Sequence, residues 1–174
     1  MCNEKSFPEL VQDLNDYTLK NYKYVVGPRV GRSSSKEQYG FIYDSEKISV
    51  NQTWQYPNLA NTFERPPYVV QFRLDALKNP HYVSVIPSHT KPDDTINEMN
   101  GLIDVYDSWE KISGDKNVII MGDLNADCSY VCKSCWDKVE LKQDPRFKWW
   151  IATGVDTTSH KNSDCTYDRV LTTG

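Results

Sequence analysis

Apolar residues recur along this chain with two periods, and the change from one to the other divides it. Leu10, Val11, Leu14, Tyr17 and Leu19 fall at roughly helical spacing after Pro8, a residue suited to a first turn, so the pattern predicts an amphipathic helix over 5–20. Runs rich in β-branched and aromatic residues follow at 22–26, 38–43, 47–54, 68–74 and 82–87, and each predicts a strand. The tracts at 31–36 (GRSSSK) and 57–61 (PNLAN) read as loops by composition. From Pro92 the period lengthens: Ile96, Met99, Ile103, Tyr106, Trp109 and Ile112 recur every three or four residues, and Thr95 with Glu98 has capping-box spacing. This predicts a second helix. The fully apolar 118–121 then reads as a short strand after a helix, which suits a β-α-β crossover onto a sheet covered on both faces. A last strand is expected over 166–172. With no internal repeat, low-complexity tail or linker, the pattern predicts one α/β domain over 1–174 with a strand-rich first half.

Composition narrows the class without naming a chemistry. A length of 174 residues suits one core rather than two, and 39% hydrophobic with 25% charged residues exclude disordered, collagen-like and coiled-coil chains. The net charge of −4 argues against a protein that coats nucleic acid through its overall field, while leaving room for an enzyme that meets phosphate locally. No run approaches the roughly 18 apolar residues of a membrane span, so no membrane partner is expected. Residues 1–8 (MCNEKSFP) carry no apolar signal-peptide core, and secretion is not readable from them. Cysteines stand at 2, 128, 132, 135 and 165, an odd number that leaves at least one without a disulfide partner.

The candidate chemistry gathers where predicted strands stop, because a sheet fixes the backbone and the loop beyond it projects side chains outward. Asp123 and Asn125 follow the strand at 118–121 in G-D-L-N. An aspartate there can hold a hard cation and a neighbouring amide can orient a phosphate oxygen or a water. The same four residues read equally well as an Asx-turn closing the strand. His89 follows another strand end in V-I-P-S-H-T, where a lone histidine is more often structural or exposed than catalytic; His81 and His160 lack comparable placement. Asp168, in Y-D-R, falls within the last predicted strand, where an acid calls for a cation or a histidine partner; the plain alternative is a surface pair with Arg169. Glu37, before the strand at 38–43, would alone be read as solvated.

Taken together, these stretches resemble the deoxyribonuclease I family, including its secreted deoxyribonuclease-like members, over nearly the whole chain. The matching pieces are NYKYVV from 21, GRSSSKEQYGFIY from 31, FERPP from 63, VIPSHT from 85, MGDLNADCSYV from 121, DPRFKWWI from 144 and CTYDRV from 165. The resemblance implies a layered α/β sandwich of the endonuclease/exonuclease/phosphatase type, with two packed mixed β-sheets flanked by helices and incomplete at both ends. It implies that His89 does acid/base work and that Glu37 orients it, a pairing that fixes the tautomer and raises the ring's basicity. By the same resemblance Asp123 belongs to a metal and phosphate site with Asn125 beside it, and Asp168 is an active-site carboxylate. Arg65 lies near the scissile backbone, where it would contact phosphate without reading sequence, and Tyr167 and Asn162 fall where the family touches DNA. The activity implied is hydrolysis of double-stranded DNA with little sequence preference, approached through the minor groove, with Mg²⁺ stabilising charge on the phosphate and Ca²⁺ supporting structure.

Cys128 and Cys165 match the family's structural disulfide, which implies an oxidising compartment and a secreted protein; the sequon Asn51-Gln52-Thr53 is compatible with secretion. A competing expectation is zinc held by Cys128, Cys132 and Cys135 with His160 or Cys165. Cys132 and Cys135 could otherwise bridge each other or stay reduced. Some family members bind actin, and Tyr24 and Val26 stand in the corresponding strand, with Tyr68 replacing a small residue there. Ser35 replaces a tyrosine that the family sets against a sugar, and a small disulfide of some members is absent from 57–61. The family's metal-binding glutamate and its second catalytic histidine, in a Ser-Asp-His segment, have no match here. The expectation is therefore an internal fragment with little or no nuclease activity by itself. Two alternatives are a non-catalytic DNA- or protein-binding remnant and a phosphodiesterase acting on another substrate.

Overall fold

A computed structural model describes residues 6–34, 36–79 and 81–174; Cys2, Ser35 and the first residue of the helix predicted at 5–20 lie outside the described residues. Helix α1 (Ser6–Thr18) leads into β1 (Tyr22–Val26), β2 (Gly40–Asp44), β3 (Ile48–Gln55), β4 (Tyr68–Leu74) and β5 (His81–Pro87). Helix α2 (Thr95–Ser113), β6 (Val118–Asp123), the short α3 (Glu140–Gln143), β7 (Lys148–Trp149) and β8 (Asp168–Thr172) complete the order. Every strand predicted from the pattern is present, with ends moved by up to two residues. At the last one the start moves by two residues, because Thr157 Oγ1 accepts the N–H groups of Tyr167 and Asp168, both at 3.0 Å, and takes the place of ladder partners.

The strands form two sheets. β1 and β2 pair antiparallel as a ribbon, and the larger sheet runs β3-β4-β5-β6-β8-β7, antiparallel throughout except for the parallel β5–β6 pair. That parallel pair is joined through α2, the expected crossover. One face of the large sheet takes α2: Val69, Ile86, Val118, Ile120 and Leu171 meet Met99, Leu102, Val105 and Trp109. The other face takes the ribbon, with Val70, Phe72 and Val85 packed against Val25, Phe41 and Tyr43. β4 is thus buried on both faces, which explains its unbroken apolar run.

Polar groups between α2 and the sheet form a linked set. Trp109 Nε1 donates to Ser84 Oγ (2.8 Å), Ser84 Oγ donates to Asp115 Oδ2 (2.6 Å), and Gln71 Nε2 donates to the same carboxylate (3.1 Å), which pins α2 to β4 and β5. The capping box expected at Thr95 and Glu98 is not formed. Thr95 is already helical and donates to the Lys91 and Pro92 carbonyls, while Glu98, fully buried, turns away to accept the N–H groups of Glu64 (2.8 Å) and Lys91 (3.1 Å). Two loop amides needing an acceptor inside the core outweigh one helix-end amide that water can reach; burial raises the Glu98 pKa. Among the described residues no helix is long and apolar enough to cross a membrane.

Candidate active site

The site forms where β5 and β6 end side by side. Beyond β5 the chain continues alongside β6, with Ser88 N–H donating to the Met121 carbonyl and Thr90 N–H to the Asp123 carbonyl, both at 3.0 Å. Gly122 makes this approach possible: its φ is +141°, and a Cβ there would lie 2.1 Å from the Ser88 carbonyl oxygen. His89 and Asp123 are therefore delivered together by two parallel strands.

Glu37 arrives from the ribbon side, fixed by a two-way backbone bridge to Val30. Its Oε2 lies 2.8 Å from His89 Nδ1 and its Oε1 lies 3.2 Å from Arg65 Nη1. A ring that donates Nδ1–H to Glu37 keeps Nε2 as a lone pair when neutral, and Nε2 stands 3.8 Å from Asp123 Oδ2. Arg65 also donates to the His89 carbonyl (3.0 Å) and the Thr90 carbonyl (3.1 Å), so the guanidinium holds the His89 loop as well as the glutamate. Its remaining N–H groups are those available to a phosphate.

Tyr39, two residues past Glu37, was not singled out by the sequence. Its hydroxyl donates to the Arg65 carbonyl (3.1 Å) and accepts the His89 N–H (3.0 Å), bracing both residues. Burial pushes the phenol up to about 12. The E-x-Y spacing, which puts both residues on one side of an extended segment, was the available signal.

The Asx-turn reading of G-D-L-N is formed. Asp123 Oδ1 accepts the Asn125 N–H (2.9 Å), an Asx-turn, and Oδ2 remains to face His89. Asn125, with φ of +46° and 5% exposed, donates Nδ2–H to the Thr90 carbonyl (2.9 Å), tying the two loops. Asp168 sits directly opposite Asp123 in the β6–β8 register. Burial first, and then the Asp123 charge, raise its pKa. The surface pair of Asp168 with Arg169 is overturned: Arg169 is 1% exposed and donates to the Ala126 (2.7 Å) and Ile151 (3.0 Å) carbonyls.

Asp123, Asp168, Tyr167, Thr157, Ser163 and His160 border a surface hollow of about 320 Å³. His160, set aside from the sequence, thus shares the hollow with both carboxylates, while Asn162 is exposed on the same loop and is not among the lining residues. The Tyr167 ring leans on Tyr130 at 5.4 Å. The cysteines pair as Cys128–Cys165 and Cys132–Cys135, which leaves no thiolate set for zinc and replaces that expectation. Among the described residues there is no group of three or more His, Cys, Asp or Glu arranged to hold a metal ion. Asp123 and Asp168 are the two carboxylates available for a shared cation.

No family model matches the chain. Among curated proteins it is 37% identical to human deoxyribonuclease gamma over 178 residues, covering 99% of this chain and 58% of that protein. It is 38% identical to human deoxyribonuclease-1-like 1, covering 97% of the chain and 56% of the relative, and 36% identical to sheep deoxyribonuclease-1, covering 95% and 65%. The chain therefore spans between about half and two thirds of the length of these relatives. Among solved structures, an endonuclease/exonuclease/phosphatase family protein from Bacteroides thetaiotaomicron superposes with a TM-score of 0.58 at 12% identity, covering 95% of this chain and 65% of that one. The human Nocturnin catalytic domain superposes with 0.60 at 10% identity, covering 98% and 65%. The fold is that of the endonuclease/exonuclease/phosphatase proteins, and the chain is a homologue of the deoxyribonuclease I family.

Proposed function

We propose that these residues form the acid/base and metal side of a divalent-metal-dependent endonuclease that hydrolyses phosphodiester bonds of double-stranded DNA with little sequence preference. The observation that carries the reading is the Glu37–His89 hydrogen bond, which aims the ring's other nitrogen at Asp123. Glu37 fixes the Nδ1–H tautomer, so Nε2 can take a proton from a water and the carboxylate steadies the imidazolium that results. Arg65 and Tyr39 hold that ring in place through its backbone.

The two facing carboxylates fit a hard cation: they are oxygen donors, each is partly exposed, and Asp168, raised by burial and by the Asp123 charge, would gain from a cation beside it. Two protein oxygens suit Mg²⁺, which keeps several waters, and when bound it would stabilise charge on the phosphate. Ca²⁺ remains a structural support in this proposal, with no ligand set assigned. The two disulfides accord with a protein that works outside the cell.

The test is nicking of supercoiled plasmid with Mg²⁺ by the full-length gene product. His89→Ala is expected to lower the rate by about 100-fold or more while leaving DNA retention intact. Metal-dependent retention of DNA by the unaltered protein without any turnover would instead favour a binding module.

A further inference from the structure

Cys132 and Cys135 take no part in the site just described. They stand in V-C-K-S-C-W, bridged across 3 positions, whereas Cys128 and Cys165 are bridged across 37. The freedom a bridge takes from the unfolded chain grows with the loop it closes, so a ring that small stabilises less than the long bridge. Each bridge has one exposed end, Cys128 in the long one and Cys132, at the head of the 3-10 turn Lys133–Lys138, in the short one; the other ends are Cys165, 7% exposed, and the half-buried Cys135. The Ser134 hydroxyl lies 3.3 Å from Cys132 Sγ, placed to donate to a thiolate formed there, and Lys133 is the next residue.

Behind the bridge lies a stack that reaches the active site. Cys135 and Trp136 pack on the main core, and Trp136 meets Trp149 edge-on at 6.0 Å. The Arg169 guanidinium sits 5.6 Å from the Trp136 ring and 5.8 Å from Trp149, and its Nε is buried without a partner among the described residues. Arg169 adjoins Asp168, and the Ala126 carbonyl it holds adjoins Asn125.

We propose that Cys132–Cys135 is a reversible thiol–disulfide site for a dithiol reductant, and that its state sets how Trp136 packs on Arg169. A thiolate of the reductant attacks Cys132 Sγ, forming a mixed disulfide and releasing Cys135 as thiolate. The reductant's second thiolate then attacks its own sulfur in that mixed disulfide and releases Cys132. Two electrons and two protons pass to the protein, and the reductant leaves as its disulfide.

The native chain is titrated with dithiothreitol at neutral pH, trapped by alkylation and mapped by mass spectrometry while tryptophan fluorescence is followed. Cys132 and Cys135 are expected to label at reductant concentrations about tenfold or more below those that label Cys128 and Cys165. Fluorescence should change in step with that first labelling, and reoxidation should restore it. A Cys132→Ser/Cys135→Ser double variant with unchanged circular dichroism should lose the fluorescence step. Opening of both bridges together, or opening of Cys132–Cys135 without a fluorescence change in the unaltered chain, overturns the proposal whatever the variant does.

Discussion

Single residues in and beside this site are held by partners far away in the chain, and the titration of Asp127, two residues past Asn125, follows from such partners. Burial alone would raise its pKa, but N–H groups of Thr166 and Cys128 outweigh burial and hold the carboxyl below its usual range. A carboxyl depressed in the folded state contributes stability above its unfolded pKa and loses it as pH falls through the folded value. Asp127→Asn is therefore expected to lower the melting temperature at pH 7, with the gap to the unaltered protein closing below about pH 4. Melting curves from pH 2.5 to 7 check this; a gap that stays constant would refute the assignment. The same scale shows what the sequence could say. Glu37 and His89 are 52 positions apart, so nothing in their neighbours joins them, and only the family resemblance paired them before the geometry did. Tyr39 escaped because a tyrosine in a strand-like run is usually core, and Arg169 because a basic residue beside an acid looks like surface.

At the scale of elements, periodicity was a reliable guide to what forms and a poor one to how it ends. Strands and α2 follow from apolar spacing, yet the start of α2 is decided by the Glu64 and Lys91 amides, which lie outside the helix and invisible to its pattern. The order β3-β4-β5-β6-β8-β7 was likewise beyond the pattern, apart from the β5-α2-β6 crossover. That crossover makes Gly122 the tightest joint of the site. Gly122→Ala must either push the Ser88 carbonyl away or abandon its φ of +141°, and is expected to cost about 2 kcal/mol or more. Urea unfolding measures the loss, and a variant as stable as the original would show that the close approach is not needed.

Across the whole molecule, the two sheets and α2 bury β4 and β5 between them, and the long disulfide ties the loop after β6 to the lead into β8. Bridging residues 37 apart is worth roughly 4 kcal/mol in the chain-entropy model. Cys128→Ser with Cys165→Ser should lower the unfolding free energy by about 2–4 kcal/mol in urea, and the change should not be reproduced by removing the short bridge. The two-layer architecture and the Cys128–Cys165 bridge were legible through resemblance, whereas spacing alone left the short Cys132–Cys135 pair open. Besides the Glu37–His89 bond, a backbone amide spans the layers at the site. The Tyr39 hydroxyl, at the head of β2, receives the N–H of His89 beyond β5. In hydrogen-exchange terms, that loop amide is released only when ribbon and sheet part, so a single slowly exchanging proton at His89 would keep time with the opening of the whole sandwich.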